Sequence, residues 1–114
     1  LIFMKAGEVD QGQVIKDLLF DIKSLKEEDI LTDKHKKMLA EAEGLLLEAQ
    51  KFHQRYLPAK ATADAKQRSR VDKAIVTRFQ RDAADTAYKR DTYKSKAEAI
   101  LGDLMADIEK MADE

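Results

Sequence analysis

Residues 35–56 read HKKMLAEAEGLLLEAQKFHQRY, and within them His35, Met38, Ala42, Leu45, Ala49, Phe52 and Tyr56 recur at alternating spacings of three and four. Side chains placed every 3.5 residues fall on one stripe of a helix and interdigitate with a neighbouring helix, so this is a heptad seam of the coiled-coil kind. Leu39, Leu46 and Leu47 widen the apolar arc. A wider arc predicts two neighbours, which places this helix at the centre of an all-α antiparallel helical bundle.

Toward the N-terminus, Val14, Ile15, Leu18, Leu19, Ile22 and Leu25 form the apolar stripe of a first helix over about residues 8–28, with an acidic start that suits the positive end of a helix dipole. A connector over residues 29–32 follows, and Thr32 or Asp33 offers a side-chain oxygen to cap the central helix. Toward the C-terminus, Pro58 is expected to end that helix, because proline lacks the amide the ladder needs and pushes its predecessor out of the α region. Residues 57–63 are then the loop.

From Thr62 or Asp64 to Met111 nothing forbids helix, and about fifty residues at 1.5 Å each would span about 75 Å. Two signals point to a break. Ser95-Lys96-Ala97-Glu98 has the form of a capping box. The stripe of Val71, Ile75, Phe79, Ala83 and Ala87 also loses its apolar partners at Lys89-Arg90-Asp91, before a fresh heptad opens at Ala97, Leu101, Leu104, Ile108 and Met111. The expected architecture is therefore one domain, residues 1–114, of four antiparallel helices. The alternative is three helices with a very long third. Residues 91–94, DTYK, hold neither glycine nor proline, which argues against a turn there. In the three-helix version the C-terminal stripe needs cover from another chain.

The composition, 38% charged and 44% hydrophobic with a single proline and a net charge of −1, fits an ordered helical bundle, long enough to bury a core without staples. With no cysteine in the chain, thiol catalysis, disulfides and thiolate metal sites are excluded. The apolar start Leu1-Ile2-Phe3-Met4 is too short for a signal peptide, and no apolar run approaches the roughly 18 residues that span a bilayer. A soluble chain is expected, in either cytoplasm or periplasm. It opens on Leu1, so either Met4 is the start of translation or the chain is a processed or excised piece.

His35 and His53 are the only histidines. Eighteen residues are five turns, so on one helix the rings stand about 27 Å apart and share no metal. The Glu-x-x-His motif of di-iron bundles is absent, since Gln50 precedes His53 by three. Haem ligation by a histidine and one of the methionines is disfavoured, because methionine at heptad positions is usually core. Gly7, Gly12, Gly44 and Gly102 are scattered, so there is no phosphate-cradling loop, and no serine stands in a nucleophile motif. No metal, cofactor or catalytic residue is expected.

Charge carries the one hint of a partner. Residues 51–96 hold thirteen Lys or Arg against five Asp, a net of +8, while residues 1–50 carry −4 and residues 97–114 carry −5. Read as one helix, Lys66, Arg70, Lys73 and Arg81 fall within an arc of about 80°, and Arg78 broadens the field. The bland reading is that the basic helix pairs across the bundle with Glu41, Glu43, Glu48, Asp103 and Asp107, setting which helices are neighbours. The chain is read foremost as a non-enzymatic interaction or assembly protein, a scaffold or adaptor. It would self-associate or dock a protein partner through a seam of Leu101, Leu104, Ile108 and Met111. One alternative is anion or nucleic-acid binding through Lys66, Arg70, Lys73, Arg78 and Arg81, with Tyr88 or Tyr93 as a stacking surface. The pI of about 6.2 weighs against it. Another is the ligand-binding sensor domain of a membrane receptor.

Overall fold

Asp10 caps the first helix by accepting the amide of Gln13, and the computed structural model, which describes residues 9–69 and 72–113, builds three helices from there. These are α1 (Gln11–Lys26), α2 (Asp33–Arg68) and α3 (Lys73–Asp113). Thr32 caps α2 with a reciprocal box: its hydroxyl accepts from the His35 amide, and its own amide donates to His35 Nδ1, each at 3.3 Å. Here an imidazole does what a Glu or Gln usually does at that position. The short connection around Ser69 and Asp72 folds α3 back antiparallel to α2. Ser69 closes α2 with bonds to Ala65 and Lys66, and Asp72 Oδ1 accepts the Ala74 amide at 2.8 Å.

α2 is central, as its wide arc predicts, packing against both α1 and α3. Ile15 and Ile22 of α1, Leu39, Ala42, Leu46 and Ala49 of α2, and Ala97, Leu101 and Leu104 of α3 bury together in one core. Leu47 lies outside it, exposed on the far side of α2. The core occupies the end of the molecule where all three helices overlap. Beyond the start of α1, the α2–α3 hairpin continues alone for roughly 20 Å as an arm whose seam buries Ala63 and Ala83. The molecule measures 63 × 28 × 18 Å with a radius of gyration of 18.3 Å, against about 13 Å for a compact chain of this length.

The four-helix expectation is not met; the alternative with a long third helix is. Two sequence signals misled. Pro58 lies inside α2 and does not end it. The bond it removes is to the carbonyl of Gln54, and both residues are exposed, so that carbonyl is open to solvent, while Ala63 one turn on stays buried in the hairpin seam with Ala83. The capping box at Ser95 lies inside α3 with Ser95 exposed, and no break occurs at Lys89-Arg90-Asp91. Arg90 itself fills the core position there, only 7% exposed.

Candidate functional site

Where α1 begins, all three helices meet in a polar layer. Arg90 Nη1 donates to His53 Nδ1 at 3.1 Å, Nε donates to Asp91 Oδ1 at 2.8 Å, and the guanidinium carbon lies 5.0 Å from the Tyr56 ring centroid. A guanidinium has no acceptor, so His53 Nδ1 accepts and the proton of the neutral ring sits on Nε2. Burial, and then the Arg90 charge, hold the His53 imidazole below its ordinary range, against smaller opposing pulls from Asp10 and Asp91. Lys94 Nζ closes the layer by donating to Gln11 Oε1 of α1 at 2.7 Å. Every buried side-chain polar atom among the described residues has a partner, so the layer is a satisfied network that fixes helix register. No three histidines or carboxylates gather at metal-binding separation among the described residues.

The sequence-derived basic residues gather at the hairpin tip, though not on one helix. Lys66 belongs to the last turn of α2 and lies 5.9 Å from the Phe79 ring of α3. Lys73, Arg78 and Arg81 line the first turns of α3, exposed around one surface depression; Arg70 lies outside the described residues. The expected pairing of this block with the acidic helices is not found among the described residues. Lys60, Lys89 and Arg90 pair with Asp64, Asp85 and Asp91 of the same block, and the carboxylates that Lys51 and Lys94 reach, Glu48 and Glu98, lie on their own helices. Because residues 9–50 and 97–113 form the three-helix body, the charge blocks of the sequence are separated in space: an acidic body and a basic arm.

The candidate seam has a different fate. Leu101 and Leu104 are buried in the chain's own core, Ile108 packs against it, and Met111 alone of the four is exposed. α1 and α2 provide the cover that another chain was expected to give. Between α1 and α3 a shallow groove remains, bounded by Leu18, Leu25, Leu101 and Met105.

A third surface holds Tyr88 and Tyr93, the two stacking candidates of the sequence, beside a residue the sequence did not join to them. Phe52 of α2 and Tyr93 of α3 stack with centroids 5.6 Å apart and planes at 11°. Arg55 and Lys89 lie over the Phe52 ring at 5.4 and 5.8 Å, and Lys96 lies over Tyr93 at 5.9 Å. Tyr88, Lys89, Thr92 and Lys96 complete a depression around this pair. Basic and aromatic residues alternate at residues 51–56 and 88–96, which is a signal in hindsight, but only the hairpin register brings the two stretches together. Comparison of the chain with protein-family models, curated proteins and solved structures returns no match.

Proposed function

We propose that this chain is a non-enzymatic interaction protein whose working surface is the basic hairpin arm and whose acidic three-helix body anchors it. The observation that supports this reading is the separation of charge along a 63 Å molecule, with Lys73, Arg78 and Arg81 exposed and in no ion pair among the described residues. A near-neutral whole-chain charge hides this field, because the compensating carboxylates sit in the body. An arm so charged attracts polyanions and releases their counterions on contact.

The test is retention on an anionic resin as salt rises. Wild type should be retained in a salt-sensitive way. Lys73→Glu with Arg81→Glu should elute earlier, and the slope of log affinity against log salt should fall by about one for each anionic group no longer neutralised. Absence of salt-sensitive retention overturns the reading. Light scattering separates self-association: a dimer indifferent to salt would direct attention to the groove at Leu18, Leu25, Leu101 and Met105 instead of the arm.

A further inference from the structure

We propose that the hairpin face bearing Phe52, Tyr88 and Tyr93 is a binding site for single-stranded nucleic acid. An unpaired base stacks against the aromatic cluster, and Arg55, Lys89 and Lys96 meet the phosphates on either side. This rests on the anion-binding reading of the arm and names its ligand.

The first support is the aromatic surface itself. Tyr88 is 71% exposed, its ring held in water at the lip of a depression whose floor is the half-buried Phe52–Tyr93 stack. A base offers a flat π surface to such a platform whatever its identity, so stacking of this kind adds affinity without selecting a sequence. A polyanion of carboxylates gains nothing there, since the face of an aromatic ring is its negative side. The aromatics thus favour a nucleic acid over an acidic polypeptide, and an unpaired strand over a duplex whose bases are already stacked.

The second support is the placement of charge around those rings. Arg55 and Lys96 are in no ion pair among the described residues, and the carboxylates of Asp85 and Glu48 are taken up by Lys89 and Lys51. Arg55 lies over Phe52, where its planar guanidinium fork is set beside the aromatic cluster to take a phosphate. At 100° per residue, Arg78, Arg81, Tyr88, Lys89, Thr92 and Lys96 of α3 fall within an arc of about 100°. From Lys96 to Arg78 the cations follow the helix for roughly 27 Å, a length that suits the roughly 4–16 nucleotides of simple single-strand sites. α1 does not obstruct this face: it meets α3 at Lys94, about 160° around the helix from Lys96.

The experiment measures binding of a short labelled oligothymidylate by fluorescence anisotropy, with wild type, Tyr88→Ala and Tyr88→Phe. Competitors are the same backbone without bases, inorganic polyphosphate, duplex DNA and polyglutamate. The expected result is tighter binding of the oligothymidylate than of the abasic backbone, a loss of about ten-fold in Tyr88→Ala, and near-wild-type binding in Tyr88→Phe. Tyr88 is exposed, so an unchanged melting temperature should confirm that the variants fold. Equal binding of abasic and base-bearing strands with no effect of Tyr88→Ala overturns the inference and leaves the anion-binding reading standing. Preference for polyglutamate also overturns it and points to an acidic protein. Absence of salt-sensitive binding to any probe overturns both.

Discussion

Arg90 of α3 donates to Nδ1 of His53 of α2 across 3.1 Å, and the first turn of α1 lies against the opposite edge of the same imidazole, so close that a Cβ on Gly12 would stand 2.8 Å from Nε2. One neutral ring therefore ties all three helices at the point where the body gives way to the arm. The ring must stay neutral to do so, because a protonated imidazole would turn its Nδ1 acceptor into a second donor facing a guanidinium.

The pH dependence follows from that neutrality. His53 is held below its ordinary value in the fold, first by burial and then by Arg90, while the unfolded chain takes up its proton near the ordinary value of about 6.5. Below that pH the unfolded state binds more protons, so stability is full above it and falls as pH drops through it toward the lowered folded value, where this loss levels off. His53→Gln, which keeps an acceptor for Arg90, should show a smaller fall in denaturation midpoint than wild type between about pH 7 and 5.

The glycines separate helix propensity from steric fit. Gly44 and Gly102 lie inside helices with nothing within 4 Å of an added Cβ, so Gly44→Ala and Gly102→Ala should each stabilise by about 0.5–1 kcal/mol in urea unfolding. Gly12→Ala should lose that gain, because the His53 ring must move off Arg90 to admit the methyl group. Restoration of the gain in a His53→Ala background would assign the cost to this contact.

Leu104 is fully buried whereas Met105 beside it is 44% exposed. Leu104→Ala should cost about 2–5 kcal/mol, and Met105→Ala should stay within about 1 kcal/mol. Leu104→Asp should unfold the chain and not merely change its molar mass, which circular dichroism alongside light scattering would report.

Pro58 should be a correctable defect. A proline in a helix interior costs about 3 kcal/mol, offset by up to about 1 kcal/mol through its stiffening of the unfolded chain. Pro58→Ala should thus raise stability by about 2 kcal/mol in chemical denaturation. An unchanged midpoint would mean that the helix already bends to absorb the proline.

What the sequence disclosed and what it hid follow one physical division. The seam from His35 to Ala49, the Thr32 cap and the stripe of α1 were legible because periodicity and capping are local. The continuity of α2 through Pro58 and of α3 through Arg90 depends on partners across the hairpin: a solvent-facing carbonyl at Gln54 in one case, a His53 acceptor and a Tyr56 ring in the other. Local rules score proline and arginine as interruptions and cannot see those partners. The true turn carried its own signals in Ser69 and Asp72, but the proline eleven residues earlier outweighed them. The basic tip was legible as a charge block, whereas the Phe52–Tyr93 stack joins residues 41 apart and depends on register.

The unequal lengths of the helices also grade the molecule's cohesion. α1 shelters only the body, so the distal hairpin is held by a single helix–helix interface built around Ala63 and Ala83. Local opening should cost least at the tip near Ser69 and most at Leu46 and Leu104, so that amide exchange slows progressively from arm to body. The most strongly charged segment is then also the one most easily remoulded while the body stays folded.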